Sequence, residues 1–244
     1  MSKVASSVFA LIAYAIFFAT FLYLIAFVGD LPFVGITVDR GPESSVAAAL
    51  VINLALIALF GVQHSVMARQ GFKQAWTRIV PKQLERSVYV LAASAALIVL
   101  FLFWRPIGGD VWNLSGVAAT VLWIVFAAGW LIVLFSTFLI NHFELFGLQQ
   151  AWLHVRERQA AAPQFRQPLF YKLVRHPIYA GFFLAFWATP QMSFGHLLLA
   201  VGMSAYMLVG IRYEERDMVS LFGRNYDDYK TRVGMLTPRF RRNP

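Results

Sequence analysis

VASSVFALIAYAIFFATFLYLIAFV, residues 4–28, carries no charged side chain and matches the roughly 17–25 apolar residues that a helix needs to cross the hydrocarbon of a bilayer. It is longer than the apolar centre of a signal peptide, and no small-x-small cleavage site follows it convincingly, so it reads as a retained anchor. Uncharged blocks of the same kind recur at 44–68, 87–104 and 114–140. The chain therefore predicts four spanning helices over residues 1–140. A fifth block, 178–211, has no formal charge but is broken by Thr189-Pro190-Gln191, by Ser193 and by Gly195-His196. It is too long for one span and short for two, which predicts a tight helical hairpin whose arms need not cross the whole bilayer. The fold class expected is all-α: a polytopic transmembrane bundle with a C-terminal helical hairpin and cytoplasmic amphipathic helices.

Composition agrees with that reading. The 244 residues are 59% hydrophobic and 14% charged, and the mean hydropathy is +0.62, far more apolar than an average soluble domain. A net charge of +9 would raise the question of nucleic acid in a soluble protein. Here the basic residues sit at the ends of apolar blocks, where attraction to anionic lipid and cytoplasmic retention already account for them, so membrane lipid is the expected partner and nucleic acid is not. No obligate protein partner is evident. Cysteine is absent, which excludes disulfides, thiolate metal sites and a cysteine nucleophile.

The connections orient the bundle. After the first span come Asp30, Asp39 and Glu43 against Arg40; after the second come Arg69, Lys73, Arg78, Lys82 and Arg86 against Glu85. The positive-inside rule then puts the N-terminus, the second loop, residues 141–177 and the tail from residue 212 to 244 in the cytoplasm, with 105–113 outside. The long polar stretches share one side, so an active site is expected to face the cytoplasm. HFELFGLQQAWLHVRERQ, residues 142–159, has Leu145, Leu148, Trp152 and Val155 at helical spacing and reads as an amphipathic helix. Residues 164–168 read as a turn.

Two strings carry the chemistry. In LVRHPIYAG, residues 173–181, His176 is biased towards extended backbone by the following proline, and Pro177 suits the first turn of a helix. His176 and Tyr179 are thereby held together at a helix mouth suited to an anion, and Gly181 permits close approach of a backbone or a ligand. IRYEERDMVSLFGRNYDDYKTRV, residues 211–233, follows the hairpin and returns to the same side. Its Glu215 is three residues from Arg212 and suited to pair with it, whereas Glu214 points elsewhere and is available to a ligand hydroxyl or amine. Further polar groups, His64 with Gln63 and His142 with Asn141, Glu144 and Gln150, lie at the cytoplasmic ends of spans and make a polar pocket there. G-x-S-x-G, Walker, H-E-x-x-H and glycine-rich dinucleotide strings are missing, and His64, His142 and Glu144 follow no recognised metal spacing. No metal is expected.

R-H-P-x-Y-x-G, an apolar hairpin, paired glutamates and G-x-x-Y-x-x-Y stand here in order as 175–181, 178–211, Glu214-Glu215, and Gly223, Tyr226 and Tyr229. In this the last third of the chain resembles the isoprenylcysteine carboxyl methyltransferase-like membrane methyltransferases. The resemblance implies that residues 141–244 form a methyltransferase core binding S-adenosylmethionine at the cytoplasmic face and releasing S-adenosylhomocysteine. It implies cofactor-binding roles for His176, Tyr179, Gly181, Glu214 and Glu215, and for Tyr226 and Tyr229 as contacts or as buttresses of the pocket.

The upstream strings FGVQHSVMAR at 60–69 and NHFELFGLQQ at 141–150 are similar to the bacterial methanethiol S-methyltransferases. That similarity implies a small thiol as acceptor, dimethyl sulfide as product and a bacterial inner-membrane location. Methyl transfer to sulfur needs a thiolate, which makes His64 or His142 the expected general base, with Phe143, Glu144, Phe146 and Gln150 around the substrate. Two alternatives stay open: another acceptor, such as a different thiol, a prenyl-cysteine carboxylate or a lipid; and a non-catalytic membrane protein related to nitrite or nitric-oxide metabolism that shares the QHS-like string.

Overall fold

In the computed structural model, which describes residues 2–162 and 164–239, the chain is a helix bundle. In order it forms α1 (Lys3–Val28), α2 (Val46–Ala68), α3 (Gln70–Trp76), α4 (Glu85–Phe103), β1 (Asp110–Asn113), α5 (Gly116–Ile140), α6 (His142–Leu145), α7 (Leu148–Val155), α8 (Pro177–Trp187), β2 (Gln191–Ser193), α9 (Phe194–Phe222) and α10 (Arg224–Arg232). Among the described residues five helices are long and apolar enough to cross a membrane: α1, α2, α4 with the 3-10 turn before it, α5 and α9. The protein is an integral membrane protein with the all-α architecture that its apolar blocks predict. The first two helices start where a serine accepts an orphan amide, Ser2 from Ala5 at 3.2 Å and Ser45 from Ala48 at 3.3 Å. The tail expected to run to residue 244 is described as far as Arg239.

Two compact units arise, and each is a body of its own. The first comprises Met1–Asn113, His142–Ala161 and Gln191–Gly202. In it α4 packs against α1 and α2, and α7 against α1. One end is closed by polar groups on the loops. Arg40 Nε donates to Asp30 at 2.9 Å, Trp104 Nε1 donates to the Val38 carbonyl at 2.9 Å, and the Ser193 hydroxyl donates to Asp39. Burial pushes the Asp39 carboxyl above its ordinary range. Asn53, buried inside an apolar helix, is satisfied by the backbone of Arg105, accepting from its N–H at 2.9 Å and donating to its carbonyl at 2.7 Å.

β1 and β2 pair antiparallel at the same end, Asp110 opposite Ser193 and Asn113 opposite Gln191. The tip of the predicted hairpin therefore meets the loop that follows α4. An eleven-residue α8 rises only about 16 Å, roughly half the hydrocarbon thickness. The extended residues that follow it lead to that tip, which is why the block looked too short for two helices.

The opposite end of the first unit gathers the start of α1, the start of α4 and the 142–161 stretch: Lys3 pairs with Glu157, and Arg86 Nε donates to the Leu145 carbonyl at 2.7 Å. Here the single amphipathic helix expected over 142–159 is two short ones. Gly147, at φ +88°, adopts the left-handed conformation between them, so the helical period runs on through a corner that the backbone does not continue.

The second unit comprises Leu114–Asn141, Ala162–Pro190 and Met203–Pro244. Its centre is the packing of α5 on α8. Gly129 and Gly181 make that crossing: a Cβ at Gly181 would lie 2.6 Å from the Gly129 carbonyl oxygen, and one at Gly129 would lie 2.7 Å from the Gly181 carbonyl oxygen. Small residues give apolar helices the close contact that replaces a hydrophobic driving force in lipid. Trp130 then packs edge-on against Phe182 and Phe186. Beyond α9 the chain turns at Gly223, and Tyr226, Tyr229 and Val233 form a small core with Phe165 and Phe222.

Candidate active site

The second unit brings the two chemical strings together at one end. Pro177 opens α8, and His176 precedes it at φ −125° and ψ 67°, outside the α-helical region that a following proline disfavours. Residues 174–176 are held from the other side by the chain beyond α10: Val174 bridges Gly234, the Arg175 N–H donates to the Gly234 carbonyl at 2.8 Å and the His176 N–H to that of Met235 at 3.1 Å.

Arg175 is the clamp of this arrangement. Its Nε donates to Glu215 Oε1 at 2.8 Å, and its Nη1 donates to the carbonyls of Lys230 and Val233 at 3.2 and 2.5 Å. The pair is nearly sealed, with 10% of the arginine and 16% of the glutamate side chain exposed. His176 Nε2 donates to the same Glu215 oxygen at 3.1 Å, and Lys230 Nζ lies 4.0 Å from the other oxygen. Among the described residues Glu215 thus takes its arginine from the RHP string and not, as its spacing suggested, from Arg212 on its own helix. Glu214 differs: its side chain is 43% exposed and its Oε2 lies 3.8 Å from His176 Nδ1, beyond hydrogen-bond length.

The remaining sequence candidates of this unit serve packing as well. Tyr179 sets its ring 5.7 Å from that of His176 and its hydroxyl over Gly210 on α9. Gly181 is at the crossing with α5. Tyr226 and Tyr229 are buried in the small aromatic core, where the Tyr229 hydroxyl donates to the Tyr171 carbonyl. Burial pushes the Tyr229 hydroxyl up to about 12. Burial and the nearby Glu215 and Glu214 carboxylates push that of Tyr226 higher still, so both stay protonated at physiological pH. Arg175 and Lys230 were not selected from sequence; a charged side chain beside a span reads as an interfacial anchor, and nothing local announces its burial.

In the first unit His142 and His64 sit at the end that holds Lys3 and Arg86. His142 is 5% exposed and lies 2.8 Å from the Tyr14 hydroxyl through Nε2. Phe146 closes on it at 4.8 Å between ring centroids and is itself stacked on Phe17 at 3.9 Å. Burial pushes the His142 imidazole below its usual value of 6.5. His64 stacks on Phe60 and lies 4.9 Å from the ring of Tyr89, over which the Arg86 guanidinium stands at 5.1 Å. Tyr89 and Arg86 thus lead from His64 to the Leu145 carbonyl, at the far end of the short helix that His142 begins. Tyr14 was missed because a tyrosine within an apolar span reads as core.

The candidate substrate residues separate. Phe146 stays with His142, whereas Phe143 is 54% exposed and lines an apolar groove of about 530 Å³ with Leu11, Leu148 and Trp152. Glu144 is exposed, and its carbonyl accepts from Gln150 Nε2 at 3.1 Å.

No protein-family model matches the chain. No solved structure matches it either. Curated proteins do: it is 51% identical over 238 residues to methanethiol S-methyltransferase 1 of Bradyrhizobium diazoefficiens, a match covering 97% of this chain and 83% of that one. It is 47% identical over 239 residues to the methanethiol S-methyltransferase of Mycobacterium tuberculosis, covering 98% of each. Nurim of Rattus norvegicus is a more distant relative, 26% identical over 230 residues, covering 86% of this chain and 87% of that one.

Proposed function

The chain belongs to the methanethiol S-methyltransferase family, and from that membership we infer its activity: it is a membrane thiol S-methyltransferase that methylates methanethiol. Of the acceptors that the sequence left open, the relatives' names select the small thiol. The product of adding a methyl to methanethiol is dimethyl sulfide.

We propose that the methyl donor is S-adenosylmethionine and that the second unit holds it. The observation that carries this is the meeting of the RHP string with Glu214-Glu215. The donor set fits the molecule: the amides of the first turn of α8 suit a carboxylate, and the partly exposed Glu214 suits an ammonium or a ribose hydroxyl. Bound there, S-adenosylmethionine would supply an electrophilic methyl on a sulfonium. Arg175 and Glu215 hold His176 and the tail in place, and Tyr179, Tyr226 and Tyr229 support the walls. Isothermal titration tests the assignment: S-adenosylmethionine should bind and S-adenosylhomocysteine should compete, and the absence of both heat and competition would remove it.

The acceptor must lose its proton, because the thiolate is the nucleophile. We assign that step to a histidine of the first unit, His142 in the first place and His64 as the second candidate. Burial lowers the His142 pKa below its ordinary 6.5, which favours the neutral imidazole at pH 7, the form that can take a proton. The rings of Phe146 and Phe17 limit the room beside it, and a small thiol is what limited room favours.

We also propose that the end bearing Lys3, Arg86 and His142 faces the cytoplasm of a bacterial inner membrane, from the excess of Arg and Lys on the loop after α2. The chain has no cysteine, so single cysteines report topology directly. Val38 is buried, so the exposed Glu43 is the better outer probe. Glu43→Cys should react with an impermeant thiol reagent from outside, and Ala75→Cys, Ala160→Cys and Met235→Cys only after the membrane is opened. Labelling of positions 43 and 160 from one side would overturn the orientation.

A further inference from the structure

We propose that the groove between α1 and α7 seats one anionic phospholipid, with an acyl chain along Leu11, Leu148 and Trp152 and its phosphate on Arg156 and Arg158. The inference rests on α1 spanning a bilayer and on no step of the reaction. Both walls belong to the first unit: Ala10 and Leu11 come from α1, and Leu148, Ala151 and Trp152 from α7. The two alanines are buried, whereas Leu11 and Trp152 are exposed. The space they line, about 530 Å³, falls within the roughly 300–1,000 Å³ of small-molecule sites.

The depth of the groove selects the kind of occupant. With 26 residues α1 rises about 39 Å, against about 30 Å of hydrocarbon. Centred on the bilayer, it projects about 4–5 Å at each end. Lys3, its first residue, then stands among the headgroups, and Leu11, about 12 Å further along, lies about 7 Å inside the hydrocarbon. α7 is amphipathic, and about 5–10 Å is the depth to which such helices bury their apolar face. An apolar groove at that level is filled by a lipid tail, since water there would leave its hydrogen bonds unmade.

The charge above it decides which lipid. Lys3 pairs with Glu157, which holds the residues after α7 at the level of the headgroups. Arg156 and Arg158 flank that glutamate, are exposed and have no acidic partner among the described residues. The Arg156 guanidinium stands over the Trp152 ring at 4.6 Å, which puts a cation on the rim of the groove itself. Two uncompensated guanidiniums beside an apolar slot match a phosphate joined to a hydrocarbon chain, because the guanidinium fork binds phosphate oxygens through paired N–H donors. A zwitterionic lipid brings a cation of its own to the same place and is the poorer match.

Native mass spectrometry of the full-length protein released from micelles tests the seat, with phosphatidylglycerol and phosphatidylcholine of the same acyl chains as probes. One phosphatidylglycerol should stay bound per chain, in preference to phosphatidylcholine. Arg156→Gln with Arg158→Gln should weaken phosphatidylglycerol about thirtyfold, each basic group at a membrane surface contributing about fivefold, and leave phosphatidylcholine unchanged. Arg156→Lys with Arg158→Lys should restore most of the preference, because the charge returns. Leu11→Trp, which fills the groove from an exposed position, should exclude both lipids. Equal retention of the two lipids by the unsubstituted protein, or an unchanged preference in the double glutamine variant, would overturn the proposal. Undiminished phosphatidylglycerol in Leu11→Trp would overturn it too, by placing the lipid elsewhere, and displacement by inorganic phosphate alone would reduce the arginines to an anion site without a chain. A dimer in place of the lipid-bound monomer, lost in Leu11→Trp, would give the groove to a second copy and sink the lipid seat.

Discussion

His142→Gln should lower turnover at pH 7 by roughly 10²–10⁴-fold, the usual scale for general acid–base catalysis. Glutamine keeps a polar side chain against Tyr14 but has no group that titrates near neutrality. The pH profile separates a base from a packing residue. In the unsubstituted protein the base is competent while His142 is neutral. Its pKa is lowered by burial, so turnover should hold as the pH falls towards 6.5 and fail only below that ordinary imidazole value. In the variant, alkaline solution supplies thiolate directly, and the deficit should shrink as the pH rises. A loss that is the same at every pH, with reduced donor affinity, would mean that His142 is structural. His64→Gln tests the second candidate in the same way.

Next in size is the contrast between two adjacent glutamates. Glu215 accepts from Arg175 and His176 and is nearly sealed, so Glu215→Gln or Arg175→Ala leaves a charge without its partner. Breaking a buried pair in this way costs about 3–5 kcal/mol, enough to show as lost folded protein or a lowered Tm. Glu214 is 43% exposed, and Glu214→Gln should keep the fold. Removing a charge-assisted hydrogen bond to the donor, worth about 1.5–3 kcal/mol, should weaken S-adenosylmethionine binding by about 10–100-fold. Titration beside thermal unfolding reads both. Equal effects on stability from the two glutamates, with unchanged donor affinity in Glu214→Gln, would contradict the division of labour.

The spans were legible because a helix in lipid cannot carry unpaired charge, and four uncharged blocks of sufficient length leave no other reading. The hairpin was legible only in outline. Its first helix is half a span long, and the extended residues that follow it pair with β1, a four-residue strand with no alternating pattern to find. The RHP string and the paired glutamates could be assigned to one end because the chain returns through a short turn. That Arg175, and not Arg212, would neutralise Glu215 could not be read, since helical spacing favours the local partner and burial decides otherwise. Gly147 broke a helix that periodicity carried straight through. Tyr14 was out of reach for the same reason that makes it informative: its partner lies across the fold and its neighbours in sequence are all apolar.

The most direct measurement of the central claim is headspace detection of dimethyl sulfide above membranes containing the protein, supplied with methanethiol and methyl-labelled S-adenosylmethionine. Dimethyl sulfide carrying one labelled methyl per molecule should accumulate with the protein and both substrates present, and should be suppressed by S-adenosylhomocysteine. No dimethyl sulfide from membranes that hold folded protein would contradict the account, and labelled dimethyl sulfide that forms equally well without the protein would contradict it as well.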